Sequence, residues 1–138
     1  MSLTLPTIQE IEDGFEAMDD WEDRFAYLID LGRRRPDFPA EAKIDANRVH
    51  GCQSTVHLQV DLPDGEHLQV RAESDASMVN GLIAVVIAMY DGKSKAEARA
   101  VEPRAVVGRL GLDQHLSQGR RNGLEALIDK IETLTRHG

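Results

Sequence analysis

From Thr55 onward the hydrophobic pattern of this chain changes its period, and that switch limits the fold more than any other feature. Val56, Leu58, Val60 and Leu62 alternate with Thr55, His57, Gln59 and Asp61, so the two sets point to opposite faces of a strand. The turn Pro63-Asp64-Gly65 follows. Leu68, Val70 and Ala72 then alternate with Gln69, Arg71 and Glu73, which predicts an antiparallel hairpin with one buried face. Two strands alone are marginal in water, so a third strand or a covering helix must close that face.

Helical patterns flank the hairpin on both sides. Residues 76–90 (ASMVNGLIAVVIAMY) are apolar nearly all round, as suits a helix buried in the middle of a domain. Ser74 or Asp75 reads as its N-cap and Gly92 as its end. Earlier in the chain, Thr7 and Glu10 form a capping box ahead of Ile8, Ile11, Phe15 and Met18. Asp19 or Asp20 caps a second helix with the stripe Trp21, Phe25, Leu28 and Ile29, and Gly32 and Pro36 read as its stop signals. Arg33, Arg34 and Arg35 complement the carbonyl end of that helix. Residues 36–50 carry two prolines and little periodicity, which predicts an ordered loop with a short edge strand near Val49.

After the long apolar helix, Ser94 and Glu97 make a second capping box. Pro103 fits the first turn of the next helix, which carries Val106, Val107 and Leu110 before Gly111. Ser117 opens a final helix expected to bury Leu124, Leu127, Ile128, Ile131 and Leu134. Helices, a hairpin, then helices define an α+β fold: a small antiparallel sheet of two to three strands packed against several helices. No repeat or linker interrupts the 138 residues, so one domain spanning 1–138 is expected, large enough to bury about 70% of its unfolded surface.

The net charge of −8 argues against nucleic acid, whose phosphates select a Lys/Arg-rich face. The longest apolar run, Leu82 to Tyr90, is about half of what a membrane span needs. Met1 to Pro6 shows no basic segment followed by an apolar stretch, so no signal peptide is expected. A single cysteine rules out an intramolecular disulfide and suits a reducing, cytoplasmic setting.

That cysteine, Cys52, is the one candidate for chemistry. A lone cysteine in an intracellular domain is most often a small buried hydrophobe. Cys52, however, sits in Val49-His50-Gly51-Cys52-Gln53-Ser54, between the irregular loop and the first strand, where functional groups concentrate. Gly51 leaves room beside the sulfur for a partner's backbone. Redox cycling within the chain needs a second thiol. A hydrolase needs a positioned base, for which His50, His57 and His115 are the candidates. A zinc or cluster site needs about four ligands, and His50 with Cys52 offers two, so no metal is expected. Accepting a group and giving it away suits a solitary thiol, and sulfane-sulfur transfer requires no cofactor on this chain.

Several blocks together resemble the SufE family of cysteine-desulfurase accessory proteins over nearly the whole chain. They are Trp21-Glu22-Asp23-Arg24-Phe25 with Leu28-Ile29-Asp30-Leu31-Gly32, Gly51-Cys52-Gln53-Ser54 with Val56, and Ser74-Asp75-Ala76 with Val79. Gly81-Leu82-Ile83-Ala84-Val85 follows, then His115-Leu116-Ser117 with Arg120 and Asn122-Gly123-Leu124-Glu125-Ala126. The resemblance implies a fold shared with IscU-type scaffolds and Cys52 as the persulfide-forming sulfur acceptor. It implies a SufS-type, PLP-dependent cysteine desulfurase as donor, or a CsdA-type enzyme in the closely similar CsdE branch. It also implies a SufB-containing scaffold complex as the next acceptor. The chain would then be an accessory protein and not an enzyme, a monomer or weak homodimer; the alternative is a binding module that activates the desulfurase around an inert cysteine.

Gly51, Gln53, Ser54, Asp75 and Arg120 are the expected loop-positioning or partner-binding residues. Gln53 and Ser54 could bond the loop backbone, Asp75 reads first as a helix cap, and Arg120 either pairs with an acid near the loop or touches the partner. Two positions depart from the family pattern: His57 stands where Trp is usual, and Ser117-Gln118-Gly119 replaces a Ser/Thr-Pro start. Cys52 is expected to rest against apolar side chains and to swing out on docking.

Overall fold

A computed structural model describes residues 5–137. Met1 to Thr4, part of the segment on which the signal-peptide expectation rests, lie outside the described residues. Helix α1 (Ile8–Glu16) starts at the expected capping box: Glu10 N donates to Thr7 Oγ1 at 3.1 Å, and Thr7 N donates to Glu10 Oε1 at 2.9 Å. Met18 falls beyond its end. Helix α2 (Trp21–Arg34) is capped by Asp20, whose Oδ1 accepts Glu22 N at 2.9 Å.

The segment after α2 makes two short 3-10 turns, Ala40–Ala42 and Asp45–Asn47. The edge strand expected near Val49 shrinks to an isolated bridge between Arg48 and His57, with Val49 N bonded to Val56 O at 2.9 Å. Pro36 and Pro39 limit pairing upstream, and the chain turns away at Gly51 just beyond. Strands β1 (Val56–Asp61) and β2 (Gln69–Ser74) pair antiparallel with Val56 opposite Ser74 and Asp61 opposite Gln69. Among the described residues the sheet has these two strands, the lower of the two numbers expected.

The hairpin's buried face is closed by a covering helix, α3 (Ser77–Tyr90), which lies between α2 and the hairpin and is buried from Gly81 to Ile87 and again at Met89 and Tyr90. Its N-cap is Ala76, without a side-chain hydrogen bond. The expectation that Ser74 or Asp75 caps it is therefore corrected: Asp75 Oδ1 accepts Thr55 N at 3.2 Å instead, because the strand pairing reaches that far and takes the carboxylate with it.

Gly32 also does something other than expected. It lies inside α2 and is buried against α3, where a Cβ on it would sit 2.8 Å from Gly81 N and 2.9 Å from Asn80 C. The glycine is a contact between backbones, not a stop.

The remaining helices are α4 (Lys95–Arg99), α5 (Pro103–Arg109), α6 (Leu112–His115) and α7 (Gln118–His137). The Ser94–Glu97 capping box and Pro103 at the first turn are as expected. The one-turn helix α6 has no counterpart in the sequence pattern, being too short to show a period. In α7, Leu124, Leu127, Ile128 and Ile131 are buried, but Leu134 is 39% exposed and Thr135 takes the inward place. Among the described residues no helix is long and apolar enough to cross a membrane.

Candidate functional site

The loop that carries Cys52 lies along one stripe of α7. Gly119, Gly123, Ala126 and Lys130 recur at spacings of four, three and four residues, so they share a helix face. Gln53 lies so close over Gly119 that a Cβ there would be 2.5 Å from Gln53 Cδ. Cys52 sits over Gly123, whose added Cβ would be 3.4 Å from Sγ, and Gly51 faces the Ala126 methyl at 3.5 Å from its own Cβ position. Lys130 Nζ then donates to Ala46 O at 3.1 Å and Arg48 O at 2.9 Å. Small residues under the loop and a cation under its approach let the chain run almost against the helix backbone. Gly51 has φ +93°, a conformation that an L side chain would strain.

Cys52 is half-buried. Its Sγ lies 3.6 Å from Gly123 O, within the range of a weak S–H···O bond. The sulfur borders a cleft of about 180 Å³ with Ala76, Val79 and Leu82 on one side and α7 on the other. Burial pushes the Cys52 thiol above its usual pKa, because the thiolate loses hydration. Among the described residues no histidine bonds to the sulfur. His115 stacks on Trp21 with centroids 3.8 Å apart and has Nδ1 2.9 Å from Gly111 O. His57 tilts against Phe38 with centroids 6.1 Å apart.

The cleft brings together Cys52, Gln53, Ser54 and Arg120. Gly51 and Asp75 are not among its lining residues: Gly51 precedes Cys52 at φ +93°, and Asp75 Oδ1 accepts Thr55 N at 3.2 Å. The exposed Arg120 has its backbone N–H 3.4 Å from Ser117 Oγ, and no ion pair found among the described residues includes its side chain. Its expected acidic partner within the chain is therefore not found.

Sequence reasoning passes over Asn80 and Lys130, and sees Gly119 only as a departure from a pattern. The one signal for the α7 face is its run of small residues at helical spacing, which marks close approach without saying what approaches. Among the described residues no group of three or more His, Cys, Asp or Glu could hold a metal ion.

Fold and site together define a small α+β domain that places one thiol in the wall of a largely apolar cleft, on a loop backed by a helix. A family model described as "SufE: Fe-S metabolism associated domain" matches residues 9–135, and the chain belongs to the SufE family. An uncharacterized SufE-like protein of Rhizobium meliloti (strain 1021) is 37% identical over 132 residues, covering 94% of each chain. The sulfur acceptor protein CsdE of Escherichia coli (strain K12) is 33% identical over 133 residues, covering 96% of this chain and 90% of that one. The solution structure of a hypothetical protein from Thermus thermophilus superposes with a TM-score of 0.76 at 21% identity, covering 96% of both chains, a likeness of fold. The resemblance drawn from the sequence blocks is borne out.

Proposed function

We propose that this chain is a sulfur acceptor in iron–sulfur metabolism, and that Cys52 is the thiol that carries the sulfur. One observation supports this above the rest: the chain's single cysteine lines a cleft in a member of the SufE family. The CsdE relative, a sulfur acceptor protein, points the same way.

The donor is a PLP-dependent cysteine desulfurase of SufS or CsdA type, and the next acceptor is a SufB-containing scaffold. The Cys52 thiolate attacks the terminal sulfur of the donor's persulfide. A new S–S bond forms at Cys52, the donor's S–S bond breaks, and the donor cysteine leaves as a thiolate. The sulfane sulfur keeps its oxidation level, so no oxidant or reductant enters. Burial raises the Cys52 pKa and so disfavours the thiolate in the free protein, and the nucleophile forms when a docked donor opens the loop or takes the proton. Gly51, Gln53, Ser54 and Asp75 shape the loop for that encounter, and Arg120 meets the partner.

Incubation with desulfurase and cysteine should add ~32 Da or multiples of it to Cys52 by mass spectrometry. Cys52→Ser should fold and fail to stimulate the desulfurase. Stimulation by Cys52→Ser equal to wild type, with no adduct on the wild-type thiol, would transfer the case to a non-covalent activator.

A further inference from the structure

Ser74 ends β2, and both of its backbone groups are taken by one side chain of α3. Ser74 N donates to Asn80 Oδ1 at 2.8 Å, and Asn80 Nδ2 donates to Ser74 O at 3.0 Å. The same Oδ1 accepts Arg35 Nε at 3.2 Å, and Arg35 is itself held 3.6 Å from Glu73 Oε2. The α3 N-terminus has no side-chain cap, so this amide is spent on the strand and not on its own helix.

Ser74 is 6% exposed, and its side chain contacts the root of the thiol loop. Its Oγ lies 3.3 Å from Ser54 Oγ and 3.4 Å from Asp75 Oδ1, so its single proton serves one of the two at a time. Ser74 Oγ also accepts Ala76 N at 3.1 Å. Asp75 Oδ1 accepts Thr55 N at 3.2 Å, and Asp75 N donates to Thr55 O at 3.3 Å. Ser54 and Thr55, two and three residues past Cys52, thus hang on the Ser74–Asp75 corner, and that corner hangs on Asn80. The other root is fixed separately, by Val49 N on Val56 O and by Lys130 on the carbonyls of Ala46 and Arg48.

We propose that Asn80 is a positioning residue for Cys52: through Ser74 it fixes the C-terminal root of the thiol loop and so sets how often the sulfur is open to a partner. The inference rests on the reading of Cys52 as the working thiol and adds to it a residue that touches neither the sulfur nor the cleft. Loss of Asn80 frees one root while the other holds, so the loop opens by local motion and the fold persists.

The test is the rate of Cys52 alkylation by iodoacetamide under native conditions, with Tm measured alongside. Asn80→Leu and Ser74→Ala should each raise the rate roughly three- to ten-fold, the net worth of one hydrogen bond to the closed loop, since only part of what either substitution removes bears on the loop root. The double variant should be no faster than the faster single one, because both act on the same corner. Ile11→Val, which weakens the core from α1, should leave the rate unchanged. An unchanged rate in Asn80→Leu, a rise that Ile11→Val matches at equal loss of Tm, or additive effects in the double variant would overturn the proposal. Should Asn80→Leu fail to fold, Asn80→Asp keeps the Oδ1 acceptor, loses the Nδ2 donor and faces the same outcomes. No desulfurase enters this assay, so it decides the role of Asn80 even if Cys52 accepts no sulfur; the adduct experiment decides that separately.

Discussion

Cys52 Sγ rests 3.6 Å from the carbonyl oxygen of Gly123, and at that helix position there is room beneath it for a methyl group and little more. Across 71 residues of sequence, a thiol is placed against the backbone of the last helix with an apolar cleft beside it. The contact is close enough to shield the sulfur and weak enough to be exchanged for a partner's contacts.

The first prediction concerns that contact. A Cβ at position 123 would lie 3.4 Å from Sγ, an ordinary van der Waals separation. Gly123→Ala should therefore keep Cys52 seated and, by the helix propensity of Ala, raise Tm by roughly 2–4 °C. Gly123→Val brings two further methyls toward the sulfur and should speed alkylation of Cys52. Equal alkylation rates in the two variants would show that the sulfur does not rest on this helix.

Thiol titration provides the second. Burial raises the Cys52 pKa, so less thiolate exists at a given pH in the folded protein than in the unfolded chain. The pH midpoint of alkylation should be higher in buffer than in concentrated urea. Coincident midpoints would remove burial as the control on reactivity.

Helix crossing supplies the third. A Cβ on Gly81 would collide with the carbonyl oxygen of Leu28 and lie 2.7 Å from its carbonyl carbon. Those are backbone atoms of α2, which cannot turn aside as a flexible side chain can. Gly81→Ala should cost about 3 kcal/mol, seen as a lower urea midpoint with an unchanged m-value. A variant as stable as wild type would mean that α2 and α3 do not pack this closely.

The hairpin turn gives the fourth. Asp64 Oδ1 accepts His67 N at 2.7 Å and Glu66 N at 2.9 Å, and Asp64 Oδ2 lies 2.7 Å from His67 Nδ1. These bonds, the His67 backbone N–H first, hold the Asp64 carboxyl well below the usual carboxylate range. The Asp64 carboxylate in turn raises the His67 imidazole above 6.5. The His67 contribution is complete below its unfolded pKa and is lost as pH rises through the folded value. The Asp64 contribution is present above its unfolded pKa and is lost as pH falls toward the folded one. Both act together between roughly pH 4 and 6.5. An NMR titration should place His67 above its unfolded value, and Asp64→Asn should bring it back; no change in Asp64→Asn would dismiss the pair.

Most of the secondary structure was legible because its determinants are local. The Thr7–Glu10 and Ser94–Glu97 boxes, Pro103 and the alternation from Val56 to Ala72 each act within a few residues, and each appears where expected. The errors share a cause. Gly32 reads as a stop and is a crossing point, and Asp75 reads as a cap and holds Thr55, because each has its partner in a distant segment. Leu134 reads as buried by helical spacing, yet its turn of α7 leaves it 39% exposed and Thr135 faces inward.

The candidate site divides along the same line. The sequence alone settled that one thiol exists, that it sits in a glycine-bearing loop ahead of the first strand, and that the chain resembles the SufE family. Tertiary structure decided what surrounds that thiol: Gly119, Gly123, Ala126 and Lys130 beneath the loop, and Ser74 with Asn80 at its root. Hydrophobic period and capping act between residues a turn apart, so they can be read along the chain. Cys52 meets Gly123, and Lys130 meets Arg48, across 71 and 82 residues, and such contacts exist only once the hairpin and helices have packed.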